Sequence, residues 1–214
     1  MAAEFPEIRW IEPADNPWGV RLLDVRPVTE GMLSTSSDPD CAANALSFLH
    51  DDGSGFAGME PNSSRMVSAR LRYRIDETLA DGALFIPTSM EHKWALFYRD
   101  NRILVVRSWT RELFVTVEVV TRPDEIEITA IRGDLVEQDE DPAFKIRVLD
   151  YMMRSHALKM VYPTPLPPEL DQHPHEAVLW CFQGFGNRAL FATPDEVRYA
   201  IPEQPLRTQG SRKS

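Results

Sequence analysis

The side chains able to act as nucleophiles or metal ligands are few and scattered. Only two cysteines occur, Cys41 and Cys181. Cys41 falls near the third position of an expected helix, where the helix dipole favours a thiolate. Asp40 adds negative charge beside it, however, and its place on the apolar edge of that helix predicts a buried structural thiol. Cys181, between Trp180 and Phe182, reads the same way. His173, His175 and Glu176 offer ligand atoms for Zn2+, with Asp171 as the one further candidate nearby. A closed zinc site needs four ligands and a catalytic one usually three, so the run reads instead as a helix start capping its own backbone. His156 sits on the flank of an apolar helical face and is expected to be hydrogen-bonded and partly buried. The acids of residues 134–141 lack the Asp-x-Asp-x-Asp-Gly order and closing Glu of a helix-loop-helix calcium site, and complement a helix N-terminus instead. Gly184-Phe185-Gly186 leads into a strand rather than from a strand into a helix, so it is no dinucleotide loop. A phosphate-binding loop, a kinase signature, a Gly-x-Ser-x-Gly elbow and internal repeats are all missing. The sequence therefore assigns no catalytic residue, no metal ligand and no cofactor.

The elements that would position any site centre on residues 84–132, where apolar segments separated by turn signals predict a meander of antiparallel strands. Residues 93–99 and 102–109 form a hairpin around Asp100-Asn101, two residue types that tolerate the positive φ of a two-residue turn. That loop length sets Trp94, Leu96 and Tyr98 opposite Arg107, Val105 and Ile103, with Ala95 and Phe97 opposite Val106 and Leu104. Both faces are then apolar, as in a strand pair covered on both sides. A helix can cover one face, while the N-terminal arm, a proline-rich strap or a second copy of the chain remain alternatives for the other. Trp94, Tyr98 and Trp109 suggest an aromatic ligand pocket on this hairpin. The next two strands alternate Leu113, Val115, Val117, Val119 and then Ile126, Ile128, Ala130 on one face.

The segment His92-Lys93-Trp94-Ala95-Leu96-Phe97-Tyr98-Arg99-Asp100 resembles the strand that follows the catalytic histidine in papain-like lipid acyltransferases and hydrolases of the lecithin retinol acyltransferase type. The likeness is confined to one hairpin. The second histidine of such proteins has no counterpart on the following strand, which reads Val105-Val106-Arg107-Ser108. The resemblance implies a Cys181 nucleophile with His92 as base and leaves the orienting third group unfilled.

Flanking elements follow from local signals. Trp10 and Trp18 anchor an irregular arm, and residues 20–25 form a short strand. Asp38-Pro39-Asp40 starts a helix to about residue 50, with Ala42, Ala45, Leu46, Phe48 and Leu49 as its apolar stripe. After a Gly/Ser/Pro-rich loop over 53–64, residues 70–75 alternate without a fault, putting Leu71, Tyr73 and Ile75 inward and Arg70, Arg72 and Arg74 outward as an ion-pair face against Glu118, Glu125 or Glu127. Asp141-Pro142 starts a main helix to about residue 158. Prolines 163, 165, 167, 168 and 174 impose an extended strap across the surface, after which Pro174 opens a short helix, residues 188–192 return as a strand, and Thr193-Pro194-Asp195-Glu196 starts a last helical turn.

The 214 residues, 43% hydrophobic, suffice for one large core. The expected architecture is α+β, an antiparallel β meander of about five to six strands packed by two main helices, with a Pro-rich C-terminal strap. A single domain covers residues 1–201 and a disordered polar tail 202–214. The net charge of −10 argues against nucleic-acid and anionic-membrane binding, and no apolar stretch is long enough to span a bilayer. Two distant cysteines and the lack of a leader pattern point to a cytoplasmic protein. The leading functional expectation is a protein-binding module of immunity or adaptor type, its acidic Glu137, Asp139 and Glu140 meeting a basic partner, with homo-oligomerisation open. The alternatives are the Cys-His hydrolase and a small-ligand binder using the aromatic pocket.

Overall fold

The computed structural model describes residues 6–136, 141–197 and 204–209. Two short strands, β1 (Arg9–Ile11) and β2 (Leu22–Asp24), precede one helical turn, α1 (Arg26–Thr29). Asp38 then caps α2 (Pro39–Leu46) by accepting the Asp40 N–H at 2.9 Å, with Pro39 at a position whose N–H would have no partner. The helix ends short of the expected residue 50. Ser47 donates its hydroxyl back to the Asn44 carbonyl at 2.7 Å, a local bond that competes with continuation of the helix. Of the expected stripe, Ala45 and Phe48 are buried, whereas Leu46 and Leu49 are exposed.

Six strands follow: β3 (Met66–Arg74), β4 (Gly82–Phe85), β5 (Trp94–Arg99), β6 (Arg102–Arg107), β7 (Leu113–Thr121) and β8 (Glu125–Gly133). They form one antiparallel sheet in the order β3-β8-β7-β6-β5-β4. Asp100 and Asn101 take φ of 50° and 57°, the twist that suits a two-residue turn between right-twisted strands. The β5–β6 register is the expected one, from Trp94 opposite Arg107 to Tyr98 opposite Ile103. On β3, Arg70 lies 3.4 Å from Glu127, and Arg72 reaches Glu125 and Glu127 at 3.7 and 3.6 Å. The arginine row is thus one side of an ion-pair ladder with β8.

Helix α3 (Pro142–Met152) starts at Asp141, which accepts the Phe144 N–H at 2.9 Å, and continues into a π-helical turn, Met153–Ala157. With α4 (Pro174–Phe185) it covers one face of the sheet, in a core that joins Trp94, Leu96, Tyr98, Val105 and Val117 to Val148, Tyr151, Val178 and Phe185. The other face is covered by the segment after α2. Phe48 and Phe56 stack on Phe97 at 6.2 and 5.8 Å, over Ala95, Leu104 and Val106. Each such side chain contributes about 1.5–3 kcal/mol on full burial. This segment is not among the covers expected from the sequence. Gly53 permits the close approach: its φ is 81°, and a Cβ would lie 2.6 Å from the Phe97 ring.

The proline strap is corrected most. Residues 163–167 are buried rather than draped over the surface. Within them β9 (Thr164–Pro165) pairs in parallel with β10 (Phe191–Thr193) in a second sheet of order β1-β2-β10-β9. Proline is tolerated because β9 is an edge strand. Thr193 accepts the Asp195 N–H at 3.1 Å, but residues 194–197 do not enter a helix. Residues 204–209, expected within a disordered tail, lie along the main sheet: Leu206 is fully buried, and the Leu206 and Gln209 N–H groups donate to Arg74 and Ala83 carbonyls at 2.8 and 2.6 Å.

Candidate functional site

Trp94 opens β5 and Arg107 closes β6 directly opposite it, so both side chains share the face beneath α4. The guanidinium lies over the indole, 4.8 Å from the ring centroid, within cation–π range. Both residues hold the end of α4. Trp94 Nε1 donates to the Gly184 carbonyl at 2.8 Å, and Arg107 donates to the carbonyls of Gly184 and Gln183 at 3.1 and 2.9 Å. A helix C-terminus presents unpaired carbonyls and partial negative charge, which favours such donors. Gly186 then takes φ of 63° and brings the chain so close to Glu91 that a Cβ would overlap its carbonyl. The end of α4 is thereby seated on the loop before β5.

Beside this junction Trp94, Phe114 and Trp180, with Leu135 and Val136, line a groove of about 390 Å3 that Arg107 also faces. Phe114 meets Trp94 edge to face at 5.4 Å. Its volume is within the range of small-molecule sites, and three aromatic and two aliphatic side chains wall it beside a few polar groups. Arg107 is such a group. The two carbonyls engage two of its five donors, and among the described residues no carboxylate pairs with it. Burial pushes its pKa down to about 10, the effect of desolvation with no anion nearby to offset it. A smaller groove of about 150 Å3 lies between α3 and β9, where Arg147 is tied to the Pro194 and Asp195 carbonyls.

Lys93, one position before Trp94, belongs to a second cluster. It is 3% exposed. Its Nζ donates to Ser34 Oγ at 2.5 Å and to the Met90 carbonyl at 3.0 Å, lying 4.0 Å above the Trp109 ring and 5.2 Å from that of Phe182. Glu91 accepts the Ser34 N–H at 3.0 Å, and Trp109 Nε1 donates to Met90 O at 2.9 Å. Burial, reinforced by the Arg107 charge and opposed by Glu91, lowers the Lys93 pKa to about 8. No sequence motif marks this cluster, because Ser34 and Lys93 are 59 positions apart.

The three residues suggested as an aromatic pocket are separated. Trp94 lines the groove. Tyr98 lies further along β5, its hydroxyl donating to Asn101 Oδ1 at 3.0 Å and sharing a 3.1 Å contact with Thr121. Trp109 belongs to the Lys93 cluster.

Cys181 is fully buried, and burial raises its thiol pKa far above the ordinary value, the reverse of what a nucleophile requires. His92 Nδ1 accepts the Thr88 N–H at 3.1 Å, with the ring edge-on to Phe85. Burial and the Arg188 charge lower the pKa of His92. The Cys181 environment opposes the nucleophile use implied by the resemblance, whereas that of His92 favours the neutral imidazole a base needs, with Nδ1 already engaged by the Thr88 N–H. His156, expected to be partly buried, is wholly so. Its Nδ1 meets Ser155 Oγ at 2.7 Å, and burial with the nearby Arg188 charge keeps it neutral. His173 and Glu176 approach to 3.8 Å, but among the described residues no group of three or more His, Cys, Asp or Glu side chains is placed to hold a metal. Glu137, Asp139 and Glu140 lie outside the described residues. No helix among the described residues is long and apolar enough to cross a membrane.

No family model, curated protein or solved structure matches this chain.

Proposed function

We propose that this protein is a small-ligand binder whose site is the groove between α4 and the open end of the β5–β6 hairpin, and that its ligand is a planar carboxylate. One observation carries the reading: half-buried Arg107 lines a groove walled by Trp94, Phe114 and Trp180 and has no carboxylate partner among the described residues. The ring of such a ligand would lie against Trp94, Phe114 and Trp180, and its carboxylate would supply the counter-charge that Arg107 lacks among the described residues. Charge-assisted hydrogen bonds of this kind contribute roughly 1.5–3 kcal/mol, so a carboxylate should bind about 10- to 100-fold tighter than the matching primary amide.

The test is a titration followed by tryptophan fluorescence and melting temperature, using benzoate, naphthoate and indole-3-carboxylate beside their amides. Carboxylates should quench or shift the emission and raise the melting temperature, and Arg107→Met should abolish the preference over amides. Equal binding of acid and amide by the unmodified protein refutes the reading. Arg107→Met also removes two bonds to the end of α4, so the acid-to-amide ratio, rather than variant stability, is the quantity that decides.

A further inference from the structure

The geometry points to a second, chemically active site: we infer that Ser34 is a nucleophile for small esters, with Lys93 as the general base that takes its proton. The dyad does not require the groove ligand, although Arg107 bears on both.

Ser34 is half-buried, and its neighbours Leu33 and Thr35 are exposed, so the segment that carries the hydroxyl lies at the surface. Lys93 lies behind it, enclosed by Trp109 and Phe182. The Nζ–Oγ separation of 2.5 Å is within proton-transfer reach. While Lys93 is charged, Nζ donates to Oγ. Once it is neutral, the contact reverses and Oγ–H donates to the Nζ lone pair, as an activated serine requires. Burial and the neighbouring Arg107 charge favour the neutral amine, while Glu91 and the ring faces of Trp109 and Phe182 favour the cation. The acidic group facing Lys93 is Glu91, and it accepts the Ser34 N–H, which fixes the nucleophile's backbone. Burial and these charges together lower the Lys93 pKa to about 8, a value at which an appreciable fraction is deprotonated near neutrality.

In the reaction, Oγ bonds to the ester carbonyl carbon as its proton passes to Nζ. The adduct expels the alcohol, which takes the proton back, leaving acyl-Ser34 and a neutral Lys93. Water then attacks the acyl carbon and gives a proton to Nζ. The C–Oγ bond breaks as Oγ is reprotonated, releasing a carboxylic acid and restoring both groups.

The experiment exposes the full chain to p-nitrophenyl acetate, and separately to an alkyl fluorophosphonate, with intact mass and peptide mapping to locate the adduct. One adduct at Ser34 is expected, absent in Ser34→Ala. Lys93→Met should slow its formation by about 10²- to 10⁴-fold, the range for a positioned general base. The unmodified protein's rate should rise about tenfold per pH unit up to about pH 8 and then level off, following the neutral fraction of Lys93. No Ser34 adduct, an adduct forming equally fast in a folded Lys93→Met variant, or a rate still climbing beyond about pH 10 as for an unassisted hydroxyl, overturns the inference. If Lys93→Met does not fold, the pH profile of the unmodified protein decides by itself. Retained Ser34 reactivity without any carboxylate preference would sink the groove and leave the dyad standing, and the converse would do the opposite.

Discussion

Lys93→Met should change how stability depends on pH, and the size of the change follows from the surroundings of Nζ. The pKa falls from 10.5 to about 8 on folding. At about 1.4 kcal/mol per pH unit this is at most about 3.4 kcal/mol in favour of the neutral amine. Solvent reaches the cluster on the Ser34 side and screens part of it, so about 2 kcal/mol is expected. Because the folded value lies below the unfolded one, between about pH 8 and 10.5 the unfolded chain holds a proton that the folded chain has released. Stability therefore rises with pH across that window, while below it both states are protonated and the full cost of the buried charge is present. Methionine fills similar space without titrating. The stability of the unmodified protein relative to Lys93→Met should increase by about 2 kcal/mol from about pH 7 to about pH 10.5, measured by urea denaturation at each pH. Glu91 and Arg107, the charged groups facing Nζ, are present in both proteins, so their own titration largely cancels in the difference. A difference constant to within about 0.5 kcal/mol would show that Lys93 does not carry a depressed pKa.

Two further outcomes follow from buried groups elsewhere. Lys145 is fully buried, its Nζ donating to the Gly133 carbonyl and Asp134 Oδ1, both at 2.5 Å. Lys145→Met should cost about 2–4 kcal/mol in urea denaturation, since it leaves the Gly133 carbonyl without this donor and Asp134 with only Ser63 and a 3.8 Å contact to Arg65; a loss below about 1 kcal/mol would contradict this. Burial alone would raise the Asp134 pKa, but the bonds from Lys145 and Ser63 and the Lys145 charge outweigh it and hold it low. Its contribution is therefore present above the ordinary carboxylate range and fades as the pH falls, so Lys145→Met should also flatten the acid limb of the stability profile. A thiol reagent should modify Cys41 in the folded protein and reach Cys181 only on unfolding; equal rates for the two would contradict the burial of Cys181.

What was legible in the sequence is what local chemistry decides. Asp38 and Asp141 cap the helices they were expected to cap, and Asp100-Asn101 turns the hairpin into the expected register. The α+β meander follows from alternation in each strand and from the small number of ways such strands pair. The misjudged parts depend on distant partners. Prolines at 163, 165 and 167 read as a surface strap, because nothing local says that β10 will pair with them and bury them. Leu206 sits in a polar tail, yet its N–H finds the Arg74 carbonyl and its side chain the core. Both candidate sites are of this kind: Arg107 reaches Gln183 across 76 positions and Lys93 reaches Ser34 across 59. Of the three aromatic residues suggested for a pocket, Trp94 lines the groove, and which other residues line it depends on where α4 packs.

The open end of the β5–β6 hairpin differs energetically from its turn. At the turn, Arg99 is ion-paired with Asp52 and Asp81 at 3.0 and 3.5 Å, near solvent. At the open end, Lys93 and Arg107 are held within each other's field, both desolvated, and neither makes an ion pair among the described residues. A chain with 33 acidic side chains has ample means to neutralise two cations, yet Glu91, the nearest acid, is engaged by the Ser34 N–H. Leaving such charges unpaired in an apolar setting opposes folding, and well-packed hydrophobic residues of similar volume would be at least as stable there. Where a fold breaks its own stability rules in one place, function is the usual reason. Each cation here also has a neighbour that stability alone would not require: a guanidinium with carbonyl partners only faces a groove walled by Trp94, Phe114 and Trp180, and a buried ammonium sits against the hydroxyl of half-buried Ser34.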